Sequence, residues 1–241
     1  STSSKDYTMK KTLLIAAALL TAVSPAMAGA RLSGAGASFP SKIYTRWFAD
    51  LSKEKEGLRV NYQAVGSGSG RKAYLDETVD FGASDDPMKD KDIAKAKRGL
   101  VQIPMTGGTI AFGYNMPGCD LKLTQEQAVQ VAIGEINNWS QVGCADKRMM
   151  WNYRSDGSGT TAAFTRSMNE FSDKWKLGVA KSVAWPTGIG SKGNAGVAGS
   201  IRNNVGAIGY VNQSYIKGEV KAAALQNLSG EFLKPSVEAG A

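Results

Sequence analysis

The sequence contains no histidine. That absence removes the commonest general base and the commonest transition-metal ligand, and it excludes a Ser-His-Asp hydrolase outright. Cysteine is nearly as scarce, with Cys119 and Cys144 at a spacing that fits no zinc pattern. No block of Lys and Arg is interleaved with aromatics in the way that tracks a nucleic-acid backbone, although the formal charge is +8. The densest basic stretch, "KDKDIAKAKR" at 89–98, alternates in sign and reads as a solvated helix face. Carboxylates that could hold a catalytic metal reduce to one close pair, Asp85 and Asp86. Ser52 and Lys55 have a Ser-Lys spacing but sit in the polar run "SKEKEG", which reads as surface. These absences point away from an enzyme, a metal or other cofactor, and a nucleic-acid partner.

Long apolar runs are missing too. The longest, at 13–23, falls short of the roughly 20 residues that a spanning helix needs. Met9, Lys10 and Lys11 precede it and Ala26-Met27-Ala28 follows it, the pattern of a secretory signal peptide cleaved after Ala28. Residues 1–8 carry no argument. Removing 1–28 takes away three lysines and one aspartate, so the charge falls from +8 to +6. An exported chain meets an oxidising compartment, where Cys119 and Cys144 can pair; the sequence leaves their distance open.

What remains has the composition of a globular protein, 42% hydrophobic and 21% charged, and is long enough for one large domain or two modest ones. "RLSGAG" reads as a strand, and "SKIYTRWFADLSKE" as a helix with Ile43, Trp47 and Leu51 on one face. "LRVNYQAVG" reads as a strand, followed by a loop at 66–70 and a helix over "RKAYLDETV". "VDFGASDDP" and "LVQIPMTGGTIAFGYN" read as extended. "TQEQAVQVAIGEINNW" opens on a capping box, Thr124 and Gln127. "MMWNYR" is a strand, "TAAFTRSMNEF" a helix, "GNAGVAGSIRN" a helix and "GAIGYVNQSYI" a strand. The alternation predicts an α/β protein with mainly parallel sheets flanked by helices.

Three Gly- and Ser-rich loops stand out: "GAGASFP" (34–40), "GSGSGRK" (66–72) and "RSDGSGTT" (154–161). A strand that ends in such residues and turns into a helix presents unpaired N–H groups and the positive helix end, an anion site. In the last loop Arg154 can add a forked pair of hydrogen bonds to an oxyanion, with Asp156 orienting the guanidinium. Each loop alone is more often structural. The nucleotide fingerprints fail, because Arg71 stands where a Walker A loop needs Gly and Phe39 where a dinucleotide fingerprint needs a small residue. The five tryptophans, Trp47 and Trp185 among them, read as core.

In order, "GAGASFP", "VNYQAVGSGSG", "VDFGASDDP", "RSDGSGTT", "WPTGIGSKGNAGV" and "GAIGYV" resemble the periplasmic phosphate-binding proteins of the high-affinity phosphate ABC transporter, from about 32 to 235. The resemblance implies a two-lobed periplasmic-binding-protein-like fold of type II with the ligand in the interlobe cleft. It places lobe 1 at 29–108, lobe 2 at 109–212, and at 213–241 a return segment toward lobe 1, truncated because members continue further. It implies a monomer that binds inorganic phosphate in the periplasm and delivers it to membrane permease subunits. The phosphate shell it implies is Ser38, Phe39, Ser67, Asp85, Arg154, Ser158, Gly159 and Thr160, with Asp156 behind Arg154.

Asp85 needs its own reason, since a carboxylate repels an anion. Phosphate near neutral pH still carries a proton that a carboxylate can accept, whereas sulfate has none, and an unmet acceptor pair of this kind discriminates by roughly 10⁴ to 10⁵. Read alone, "SDDP" is equally a capped turn before Pro87. The alternatives are a site for another tetrahedral oxyanion, sulfate or molybdate, and a secreted phosphate sensor, adhesin or phosphatase-like protein.

Overall fold

The computed structural model describes residues 29–236; the expected signal peptide lies outside the described residues. The chain opens with strand β1 (Arg31–Gly36), helix α1 (Ser41–Glu54), β2 (Arg59–Ala64), α2 (Ser67–Leu75) and β3 (Phe81–Ala83). These strands form a parallel sheet in the order β2-β1-β3. The inward face of α1 differs from the expected one: Tyr44 is its buried residue, whereas Ile43 and Trp47 are exposed. The aromatics of the sheet decide this, because Tyr44 meets Tyr62 edge-on at 5.1 Å and Phe48 meets Phe81 at 5.9 Å. Trp47 is therefore not core. The second helix also starts earlier than expected, inside the glycine loop. A Cβ at Gly70 would collide with the Ala35–Gly36 backbone, so glycine lets the first turn of α2 lie directly on β1.

A short helix α3 (Asp90–Ile93) follows, and then β4 (Ile110–Asn115), β5 (Lys122–Leu123) and α4 (Gln125–Ile133). The capping box forms, Thr124 accepting from the Gln127 N–H at 3.1 Å and Gln127 from the Thr124 N–H at 3.0 Å. Gly134, left-handed at φ 82°, ends that helix before "EINNW". Next come β6 (Met150–Arg154), α5 (Gly159–Phe171), β7 (Ile189–Ser191), α6 (Gly193–Asn203) and β8 (Ala207–Asn212). The last strands are β9 (Lys221–Ala222), β10 (Ala224–Gln226) and β11 (Phe232–Leu233).

The second sheet runs β7-β6-β8-β4-β9. It is parallel over β7, β6 and β8, while β4 runs antiparallel to both β8 and β9. A third sheet, β11-β10-β5, carries one parallel and one antiparallel pair. The main core lies against these two sheets, built from Leu121, Leu123, Val129, Trp139, Trp151, Phe164, Met168 and Tyr210. The chain from 213 to 236, expected to turn back toward the first lobe, instead pairs with β4 and β5 and buries Val220, Ala223 and Ala224. Its ties to α1 are local: Ser41 bonds Tyr215 at 3.2 Å and Lys42 donates to the Ser214 carbonyl at 2.7 Å. Lys42 also lies 4.1 Å over the Tyr215 ring.

Cys119 and Cys144 are bonded, with Cα atoms 5.5 Å apart, and tie the β4–β5 connection to the turn after Trp139. Closing a loop of this length stabilises by about 3 kcal/mol. Reduction should therefore lower the melting temperature by roughly 6–12 °C, as differential scanning calorimetry with and without reductant would measure.

The extended run expected over 100–115 becomes a strand only from Ile110. Ahead of it Val101, Ile103 and Met105 are 85%, 70% and 58% exposed, apolar side chains in a segment with no strand partner among the described residues. Replacing all three with lysine should leave the melting temperature within a degree or two while lowering the fluorescence of a bound hydrophobic dye. A large loss of melting temperature would mean that these side chains are packed.

Candidate functional site

The C-terminal ends of β1 and β3 lie side by side in one parallel sheet, the residues just beyond β3 and β6 are hydrogen-bonded to each other, and a helix begins just beyond each of β1, β2 and β6. At β6 the strand hands over Arg154, the turn 155–157 follows, and Ser158 caps α5 by accepting the Thr161 N–H at 3.0 Å. This cap takes the third N–H of the helix. Those of Gly159 and Thr160 have no intrahelical acceptor and face outward with the positive helix end behind them. Ser158 itself is fully buried, its N–H donating to the Lys181 carbonyl at 3.0 Å.

Asp85, just after β3, lies over this helix end. Ser67 at the start of α2 donates to its Oδ1 at 2.5 Å, and Thr160 donates to its Oδ2 at 3.1 Å. The carboxylate thus joins elements of both larger sheets. A Cβ at Gly159 would land on the Asp85 carboxyl group and 2.7 Å from the Ser67 Oγ, so only glycine lets the carboxylate sit there. Asp85 is therefore not a turn cap.

Asp86, its neighbour, turns the other way. Arg71 of α2 reaches its Oδ2 at 3.0 Å, and from the far side Arg166 and Lys181 come within 3.5 and 3.9 Å. Arg71 also donates to the Asp86 carbonyl and to Ser84 Oγ. Three cations around one carboxylate leave the rim of the cleft positive. Burial, and then Arg71, push the Lys181 ammonium below its ordinary value.

Arg154 is almost wholly buried, and one edge of its guanidinium is used within the protein. Nε and Nη2 donate to the two oxygens of Asp156 at 2.7 and 2.6 Å, which leaves both Nη1 hydrogens and the second Nη2 hydrogen for a ligand. One edge of the guanidinium is thus held by Asp156, while the Nη1–Nη2 edge keeps a forked pair of hydrogens. Burial alone would raise the Asp156 carboxyl, but Arg154 and the Gly193 N–H, at 3.1 Å, hold it below 3.8 on balance. The pair is therefore ionic at neutral pH, and its contribution is lost only as pH falls below 3.8 through the lower folded value. The Arg154 N–H donates to the Tyr210 hydroxyl at 3.1 Å, which also bonds Thr161 at 2.6 Å. Burial pushes the Tyr210 phenol up to about 12, so it stays neutral.

Ser38 is buried at the β1 end, its carbonyl accepting the Tyr215 hydroxyl at 2.8 Å. Phe39 beside it is half-buried and lies near Gly108. Ser38, Ser67, Asp85, Arg154, Ser158, Gly159 and Thr160 thus sit in one connected cluster, with Asp156 behind Arg154. Sequence reasoning missed Asn194, Tyr210, Tyr215 and Lys181. Asn194 lies inside the quoted motif "GSKGNAGV", and that placement was its available signal. Among the described residues no group of three or more His, Cys, Asp or Glu could hold a metal ion. No helix of the described residues is long and apolar enough to cross a membrane.

The model of the PBP superfamily domain matches residues 22–239. A phosphate-binding protein PstS of Pasteurella multocida is 39% identical over 95% of this chain and 70% of its own length. Another of the same name, from Haemophilus influenzae, is 40% identical over 86% of this chain and 66% of its own. The chain thus spans about two thirds of the length of these relatives. A Clostridium perfringens protein solved with bound phosphate superposes with a TM-score of 0.70 at 21% identity, covering 88% of both chains. A high affinity periplasmic phosphate-binding protein, PfluDING, bound with phosphate, gives 0.72 at 21% identity over 87% of this chain and 66% of that one. The solved structures agree on the fold, the relatives on the lineage, and the chain belongs to the PBP superfamily and, within it, to the family of phosphate-binding proteins named PstS.

Proposed function

We propose that this chain binds inorganic phosphate in the cleft between a lobe at 29–108 and a second lobe at 109–212, with 213–236 added to the second. The observation that carries this reading is the place of Asp85. A carboxylate sits among donors, Ser67, Thr160 and the start of α5, the helix that follows the buried Arg154 in the chain. Such a site offers hydrogen bonds to bare oxygens and one acceptor for a ligand proton, the pattern of a partly protonated oxyanion. The Ser38 hydroxyl, the amides of Phe39, Gly159 and Thr160, and the Nη1–Nη2 edge of Arg154 are the donors, while the hydroxyls of Ser67 and Thr160 hold the Asp85 carboxylate in place. Ser158 acts by capping α5.

The family supports the rest of the proposal. The chain works in the periplasm after removal of 1–28, as a monomer, and passes phosphate to the permease subunits of an ABC transporter. Catalysis has no support from the residue set: histidine is absent, so no Ser-His-Asp arrangement forms.

Calorimetric titration with phosphate and then sulfate tests the reading. Phosphate should bind and sulfate should be the weaker by orders of magnitude; equal binding would exclude it. Asp85→Asn, whose amide can also donate, should narrow the preference for phosphate over sulfate by at least about tenfold. Asp86→Asn should change affinity and its salt dependence but leave that preference as it was.

Gly159→Ala places a methyl group on the Asp85 carboxyl, so phosphate binding should fall by roughly 100-fold or more while the circular dichroism spectrum stays that of the parent. Unchanged binding by a folded variant would mean that the ligand does not approach the start of α5.

A further inference from the structure

Asn194 is fully buried in the first turn of α6, and it touches three separate parts of the chain. Its Oδ1 accepts the Asn212 backbone N–H at 2.8 Å. A backbone N–H can only donate, so the amide cannot be turned round, and both Nδ2 hydrogens must face the other way. There they meet two hydroxyls, Ser38 Oγ at 2.9 Å and Thr160 Oγ1 at 3.2 Å. The backbone N–H of Asn194 donates to the same Ser38 oxygen at 3.1 Å.

A hydroxyl has one hydrogen and two lone pairs. Ser38 Oγ receives two hydrogen bonds from Asn194, so its lone pairs are spent and only its hydrogen is left to offer. Thr160 Oγ1 receives one, and its hydrogen points to Asp85 Oδ2. Neither group can turn its hydrogen to Asn194, which has only donors on that side. We propose that Asn194 is a positioning residue that fixes the hydroxyl of Ser38 as a donor toward the ligand and that of Thr160 as a donor toward Asp85, leaving Asp85 as the acceptor of the site.

This inference rests on the phosphate reading and deepens it. An oxyanion consists almost entirely of acceptors, so a hydroxyl that is free to rotate into an accepting pose wastes part of its contact. Locking the polarity before binding removes that option and the rotamer entropy with it. The same turn of α6 sets the guanidinium as well, through the Gly193 N–H to Asp156. Two adjacent residues outside the three glycine loops thereby orient both kinds of donor.

The test uses the full chain and inorganic phosphate. Asn194→Asp keeps the shape but, when ionised, has a side chain of acceptors only, so Ser38 would turn its hydrogen to it and away from the ligand, and Thr160 its hydrogen away from Asp85. Phosphate affinity at pH 8 should fall by roughly 100-fold or more relative to the parent. At pH 5 the gap should narrow, because a protonated carboxyl regains one donor; each variant is compared with the parent at the same pH, so the titration of phosphate cancels. Asn194→Ala, which buries no charge, should lose affinity about tenfold, and that loss should largely disappear in a Ser38→Ala, Thr160→Val background. A loss independent of pH and equal in both backgrounds overturns the inference, since packing alone would give that result. Full affinity in folded Asn194→Asp overturns it as well, while leaving the phosphate reading intact. A parent that fails to bind phosphate overturns the reading and this inference together.

Discussion

A guanidinium removed from water has to be paired, and the pairing of Arg154 with Asp156 organises everything near it. Leaving either charge alone in that position would cost several kcal/mol, far more than a surface pair is worth. The turn after β6 therefore has one acceptable shape, in which both forks meet. That shape brings the 155–157 backbone against the start of α2, where the Gly68 N–H donates to the Gly157 carbonyl at 2.8 Å. It also draws in the first N–H of α6 and stands the strand end on the Tyr210 hydroxyl. The ion pair stores little net stability, but it selects one geometry for four chain segments.

Donors converge around this pair for reasons that are local to each segment. Strands ending in Gly and Ser turn sharply, and the helices that follow begin with N–H groups that nothing inside the helix can take. Hydroxyl side chains beside them extend the same chemistry. The site is thus a property of several strand ends brought together, and the sheets behind it serve as rigid mounts. The positive rim of Arg71, Arg166 and Lys181 adds a longer-range attraction for anions, only partly offset by Asp86.

Much of this was legible in the sequence, and the reason is distance along the chain. The α5 cap, the Thr124–Gln127 box and the Arg154–Asp156 pair each involve residues two or three apart, so local patterns expose them. The fold class followed from the alternation of elements in the same way. What escaped depends on partners far apart. Asn194 matters because of residues 38, 160 and 212, and nothing in "KGNAGV" announces them. The inward face of α1 was misjudged because Tyr62 and Phe81, on other strands, select Tyr44 and Phe48 over Trp47. The separate tasks of Asp85 and Asp86 depend on which way each side chain turns, and adjacent identical residues give no hint of that. The placing of 213–236 was misread because short strands such as β9 and β10 carry too few residues to show which sheet they join.

Behind the ion pair lies a stack of aromatic rings: Phe164 on Tyr210 at 4.3 Å, Tyr210 near Trp185 at 5.7 Å and near Trp151 at 5.9 Å. Tyr210 is at once a neighbour of two indoles and a hydrogen-bond partner of Arg154 and Thr161. Whatever shifts the guanidinium or the start of α5 also shifts the surroundings of the chromophores, so the protein carries its own optical reporter a few ångströms behind the place where an anion would sit.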